Sequence, residues 1–185
     1  MRMLFIALVL SLTALPASPQ LASRPLKMPK LRAGERCPVS KGSHETVPDV
    51  SYIFCAKCLW FGSSPVNFAW AYRLGDGDDA LFDLHKVPHD RSGYSTKTPW
   101  VARFDFSGPI LVRGRQIDGN GKLRFSAVGP KLSDKFELTA PNKGAPDQWS
   151  FWPADMSVPH PGCYAIQIDT SVSSEVVVFR ADDHN

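Results

Sequence analysis

Apolar and polar residues alternate with a period of two in two long segments of the chain. In residues 66–73 the larger apolar side chains stand at every second position, and residues 100–106 repeat the pattern until Ser107-Gly108-Pro109 interrupts it. A period of two is typical of a strand that buries one face, and a Gly-Pro pair predicts a turn or bulge at its end. Both segments are therefore predicted to be strands with a buried aromatic or apolar face.

Shorter segments add further strands. They lie at residues 50–54, 110–117, 123–125, 136–139, 164–168 and 175–179. Asp118-Gly119-Asn120-Gly121 suits a tight hairpin, because these residues tolerate positive φ. No helical period extends beyond two turns, and the 16 prolines count against long helices. The pattern predicts an all-β fold, best described as an antiparallel β-sandwich. An immunoglobulin-like arrangement is one option for the sandwich, and a small closed β-barrel is the alternative.

The N-terminus has the pattern of a secretory signal peptide, assigned to residues 1–22. Arg2 precedes an apolar run that begins at Leu4 and is cut short at Pro16. That run is shorter than the roughly 20 apolar residues that a membrane-spanning helix needs. Cleavage after Ala17 or after Ala22 would leave a small residue at the cut, so both positions stay open. The alternative is an uncleaved N-terminal anchor; the favoured interpretation is a secreted or periplasmic product without a stable membrane anchor after cleavage.

Three further regions complete the predicted organisation. Residues 23–36 form a basic leader with prolines, interpreted as a solvated segment; residues 37–181 form one β-sandwich domain; and residues 182–185 form a tail. Roughly 160 residues are enough for a single domain with its own core. The formal charge of the whole chain is only +3, which argues against nucleic-acid binding although the leader could touch an acidic surface.

Four cysteines, Cys37, Cys55, Cys58 and Cys163, follow the signal segment. An even number of cysteines in an exported protein points first to disulfides, and four cysteines allow three different pairings. The two-residue gap between Cys55 and Cys58 favours a local bridge, which leaves Cys37 to pair with Cys163. The second bridge would join the start of the domain to its last hairpin.

Several short motifs resemble those of a family of small bacterial secreted proteins that has no established activity. The matching segments are Cys37-Pro38-Val39, residues 108–119 with a GRxxDG pattern, Phe151-Trp152-Pro153, Pro161-Gly162-Cys163 and residues 173–179. The similarity covers most of residues 37–180. It implies a compact β domain exported by a bacterium, and it supplies no catalytic residues. The Cys55 and Cys58 insert is not implied by this resemblance.

The motifs for enzymatic and metal chemistry are weak. Lys57 beside Cys55 and Cys58 would favour a thiolate, so a thiol-disulfide redox protein is the alternative function, yet the helix that accompanies such a motif is not predicted. His85 and His89 are spaced like zinc-finger histidines, but they lie too far from Cys58 and flank Pro88.

Other enzymatic and metal motifs are equally poor. The chain has no G-x-S-x-G or H-E-x-x-H motif, although a dispersed triad assembled in space stays open. The acidic turn at residues 75–79 could hold calcium, but it lacks the EF-hand spacing and is more simply a solvated turn. We therefore assign no catalytic residue, no metal ligand and no cofactor.

Two groups of residues indicate a binding surface instead. Trp149, Phe151 and Trp152 lie close together, where exposed rings could stack on a sugar or on a protein surface; a cluster that caps the sandwich is the simpler alternative. Arg113 and Arg115 share a strand face and could bind an anion or pair with neighbouring acids. The sequence thus favours a non-enzymatic exported binding or envelope-associated module, with a protein or carbohydrate ligand.

Overall fold

The computed structural model describes most of the chain between residues 21 and 183. The described ranges are 21–32, 34–44, 59–63, 65–70, 76–127, 131–140 and 149–183. Residues 1–20, which include most of the expected signal peptide, and the two residues 184–185 of the expected tail lie outside these ranges. Cys55 and Cys58 lie outside them as well, together with the strand expected at residues 50–54.

Strands dominate the described residues. They are β1 (Val66–Phe68), β2 (Leu81–Asp83), β3 (His89–Asp90), β4 (Gly93–Lys97), β5 (Trp100–Ala102), β6 (Gly108–Gln116), β7 (Arg124–Ser126), β8 (Lys135–Ala140), β9 (Ser150–Trp152), β10 (Asp155–Val158), β11 (Gly162–Thr170) and β12 (Ser174–Asp182). A single-turn 3-10 helix, Leu84–Lys86, follows β2. The prediction of an all-β antiparallel sandwich is confirmed.

The strands of the described residues form three sheets. Their strand orders are β1-β5-β9, β3-β4-β10-β7 and β2-β12-β11-β6-β8. The pairings are antiparallel except for β2 with β12, which is parallel. In the largest sheet, β11 lies between β6 and β12, so its backbone is hydrogen-bonded along both edges.

Aromatic side chains fill the space between the sheets. The rings of Phe68 and Trp100 stack with centroids 4.6 Å apart, and those of Tyr164 and Phe179 stack at 5.4 Å. All four residues are fully buried, and they belong to one continuous apolar core. Burial of several rings of this size supplies much of the hydrophobic stabilisation, since each removes about 150–250 Å² from water.

The hairpin expected after β6 forms only in part. Gln116 N donates to Gly121 O at 2.8 Å, and Arg115 faces Lys122 in an isolated bridge. The chain then leaves the sheet, and β7 pairs with β10 of the four-stranded sheet instead of with β6. The turn was therefore correctly predicted, whereas the expected return strand joins a different sheet.

Every residue from Cys163 to Thr170 on β11 is buried, although alternation predicted a single buried face containing Tyr164, Ile166 and Ile168. Those three residues do face the core. The opposite face is covered by residues 21–32, which we call the N-terminal strap. This covering buries the polar side chains of Gln167 and Asp169, which alternation would expose to water.

Candidate functional site

The three aromatic residues that the sequence singles out lie at strand β9, which contains Phe151 and Trp152 and directly follows Trp149. It pairs with β5, so that Trp152 lies opposite Trp100 and Phe151 opposite Val101. Trp149 and Phe151 pack against a small cluster formed by Trp60, Ala69 and Val101, whereas Trp152 packs against the main core. All three are partly buried. The strand thus places two rings on one face and the third ring on the other.

The two halves of the expected binding surface belong to different sheets. Arg113 and Arg115 lie on β6 of the five-stranded sheet, whereas Trp149 and Phe151 lie on or beside β9 of the three-stranded sheet. The aromatic pair and the arginine pair are therefore two separate features of the molecule.

Arg113 is held by an internal carboxylate. Its Nη2 lies 2.6 Å from Oδ2 of Asp169, which is fully buried, while only 15% of the Arg113 side chain is exposed. Arg115, two residues further along β6, is exposed. A buried carboxylate is stable as a charged group only when it is paired and hydrogen-bonded, so Arg113 serves first as the partner of Asp169. Of the two arginines, Arg115 has the more accessible side chain.

A fully buried amide completes a polar cluster around this ion pair. Gln167 Nε2 donates to the Asp169 carboxylate at 3.0–3.1 Å, and Ser174 Oγ donates to Asp169 Oδ1 at 2.7 Å. Asp169 therefore accepts hydrogen bonds from three side chains. This arrangement fixes the orientations of Gln167 and Arg113 on the outer face of the sheet.

The same two side chains bind the backbone of the N-terminal strap. Gln167 Oε1 accepts from Lys27 N at 2.6 Å and Gln167 Nε2 donates to Pro25 O at 3.1 Å, while Arg113 Nη1 donates to Arg24 O at 2.9 Å. Arg24 Nη1 in turn donates to Thr170 O at 2.7 Å. The leader was expected to be solvated, and many of its side chains are exposed, but its backbone is attached to β6 and β11.

Cys37 and Cys163 form a disulfide with a Cα–Cα distance of 5.6 Å. The predicted pairing of these two cysteines is confirmed, and it joins the first residue of the predicted domain to the beginning of β11. Cys55 and Cys58 are outside the described residues, so their local bridge and the redox alternative both stay predictions.

The described part of the acidic turn forms an ion pair, and two of the histidines lie in local structure. Lys41 Nζ lies 2.7 Å from Asp79 Oδ1, and the hydrogen bond and charge of Asp79 raise the pKa of Lys41. His89 stacks on Tyr94 with ring centroids 5.0 Å apart, and His85 lies in the 3-10 helix. Within the described ranges, no group of three or more histidine, cysteine or acidic side chains could hold a metal ion.

Gln167 and Asp169 are the residues of the polar cluster that sequence reasoning missed. Alternation along β11 places both on the face opposite Tyr164 and Ile166, where polar residues normally face water. The signal that could have revealed them is the combination of an amide and a carboxylate, two residues apart, opposite Arg113 on the neighbouring strand. The combination indicates a buried polar cluster only when the pairing of β11 with β6 is known.

The similarity of this chain to known proteins is weak. No family model and no curated protein matches the chain. The structure is similar to the crystal structure of a candidate lipoprotein from Bacillus anthracis, with 12% identity, a TM-score of 0.44, and coverage of 76% of this chain and 88% of that one. Across the described part of the chain, no helix has the length and apolar character needed to cross a bilayer.

Proposed function

We propose that this protein is an exported, non-enzymatic binding module that works outside the cytoplasm. The disulfide between Cys37 and Cys163 is the observation that supports the location, since such bonds persist in oxidising compartments and are rare in the cytosol. The apolar run after Arg2 agrees with it, because a signal peptide would direct the chain to such a compartment. Export would allow the disulfide to form after translocation.

The binding surface that we propose is the face of β9 that carries Trp149 and Phe151. Both rings pack by one side against Trp60 and Val101 and keep part of their surface accessible. A ring supported from behind has few conformations to lose on binding, which makes it an effective platform for the apolar face of a sugar or for a partner's side chain. Trp152 would support this surface from the core side.

A carbohydrate is the first ligand class to test, because stacking on two supported rings requires no charged partner. The experiment uses a glycan array probed with the labelled exported protein and with the variants Phe151→Ala and Trp149→Ala. Binding that falls at least tenfold in both variants supports the surface. Val172→Ala is the matched control, since Val172 is an apolar residue with 75% exposure located in the turn between β11 and β12.

Each alternative outcome has a clear meaning. Binding that is unchanged in both aromatic variants would place the ligand elsewhere on the protein. If no glycan binds, chemical cross-linking from a cysteine introduced in place of Trp149 would test for a protein partner at the same face. Retention of the protein in the cytoplasm during cell fractionation would contradict the proposed location independently of any ligand.

A further inference from the structure

The N-terminal strap is attached to the outer face of the sheet through its backbone. Within four residues, Arg24 O, Pro25 O and Lys27 N are hydrogen-bonded to Arg113 and Gln167. Gln167 is fully buried, so its amide has no water to replace these partners. A buried polar group that loses its partner costs about 1–3 kcal/mol. The strap is therefore needed to satisfy the polar groups of the sheet.

Apolar residues hold the strap on both sides of these hydrogen bonds. Met28 is 8% exposed and packs in a small cluster with Cys163, Ala165 and Val178. At the other end Leu21 is 4% exposed, and its carbonyl accepts from Arg24 N at 3.1 Å. By contrast Leu26, between these two anchors, is 43% exposed.

Leu21 also forms one wall of an open cavity of about 250 Å³ that lies against the paired strands β6 and β8. Its other walls include Ile110, Leu111 and Leu138, which are nearly fully buried. Without Leu21 this cavity would open further towards solvent and part of its apolar lining would be wetted. Exposure of apolar surface costs roughly 25 cal/mol per Å², so the folded domain is more stable with Leu21 present.

We propose that the exported protein keeps Leu21 as part of its fold, and that the signal peptide is therefore removed by a cut after Ala17 and not after Ala22. The reaction is hydrolysis of the Ala17–Ser18 peptide bond, in which water supplies the carboxylate oxygen of Ala17 and the α-amine is left on Ser18. This inference rests on the export proposed above, and it assigns the processing site that export requires.

A cut after Ala22 would have two physical consequences for the folded domain. It would remove Leu21 together with the acceptor of the Arg24 backbone hydrogen bond. It would also create a positively charged α-amine on Ser23, next to Arg24, whose guanidinium already lies at the end of β11. Both changes weaken the attachment of the strap, whereas a cut after Ala17 leaves these contacts intact.

Intact-mass analysis of the full-length chain, expressed with its own N-terminus in a bacterium and collected after export, tests the processing site. A product that begins at Ser18 supports the inference. A product that begins at Ser23 overturns it and leaves the export proposal standing. A product that still begins at Met1 overturns the export proposal itself, and with it the cleavage. The two proposals thus fail in different ways.

A matched pair of variants tests whether Leu21 anchors the strap. In the exported protein, Leu21→Ala should speed hydrogen exchange of the Lys27 amide by about tenfold and lower the thermal midpoint by a few degrees. Leu26→Ala, the same change five residues away at an exposed site, should do neither. Equal behaviour of the two variants would overturn the role of Leu21, whatever the position of the cut.

Discussion

Arg113 on β6 and Asp169 on β11 form an ion pair with a distance of 2.6 Å between Nη2 and Oδ2, and the Asp169 carboxylate is fully buried. The pair lies beneath the N-terminal strap, and the same guanidinium donates to the backbone of Arg24. Removal of the arginine would leave a buried charge without its cationic partner. The ion pair thus joins two strands and the leader in one polar unit.

Arg113→Ala is predicted to destabilise the protein by about 3–5 kcal/mol, the usual cost of breaking a buried ion pair from one side. Arg115→Ala is the control, because Arg115 is an exposed residue on the same strand, and a change there should stay within about 0.5 kcal/mol. Urea unfolding measures both. Similar losses for the two variants would contradict the structural role of Arg113.

The disulfide between Cys37 and Cys163 is predicted to contribute up to about 5 kcal/mol, because it closes a loop with a sequence separation of 126 residues. The double variant Cys37→Ala, Cys163→Ala should lower the free energy of unfolding by about 2–5 kcal/mol. Peptide mapping without reduction is the companion measurement. A peptide that links Cys163 to Cys55 or Cys58, or a loss below about 1 kcal/mol, would contradict this prediction.

Much of the fold is predictable from alternation and turn residues. Strands β6, β8, β11 and β12 lie where period-two patterns or short apolar runs placed them, and the Cys37–Cys163 pairing followed from spacing. The strand patterns are local, and the cysteine pairing depends on the number and spacing of the cysteines. For the strands the physical cause acts over a few residues, so the sequence carries it directly.

The parts that could not be predicted depend on contacts between distant residues. Gln167 and Asp169 have the pattern of exposed positions, yet they are buried because a segment about 140 residues earlier covers them. The departure of β7 to another sheet likewise depends on β10, which follows much later in the chain. Alternation shows that a strand has two faces, but it does not show what will cover each face.

Trp152→Ala is predicted to cost about 3 kcal/mol, at the lower end of the range for a buried aromatic residue, because Trp152 packs on the main core but is only partly buried. The thermal midpoint should fall by roughly 6–12 °C for a domain of this size. Trp149→Ala, on the other face of the segment, should cost less. A midpoint that is unchanged in Trp152→Ala would contradict the packing of this ring on the main core.

Gly93 opens β4 at a position that no other residue can occupy without strain. Its φ is +112°, and a Cβ built there would lie 2.5 Å from Val158 O and 2.8 Å from Pro159 Cα. Both neighbours are backbone atoms at the end of β10, so no side chain can rotate away to make room.

Gly93→Ala should therefore destabilise the protein by about 3 kcal/mol or more, since the strained φ alone costs of order 1–3 kcal/mol and the steric clash adds to it. The expected structural result is separation of β4 from β10 near Tyr94 and Val158, which are paired in the native register. Gly77→Ala is the matched control, because a Cβ at Gly77 would meet no atom within 4 Å. Thermal unfolding of the two variants measures the difference, and amide exchange across β4 shows its location. If Gly93→Ala unfolded at the same temperature as Gly77→Ala, the close approach of β4 to the end of β10 would be wrong.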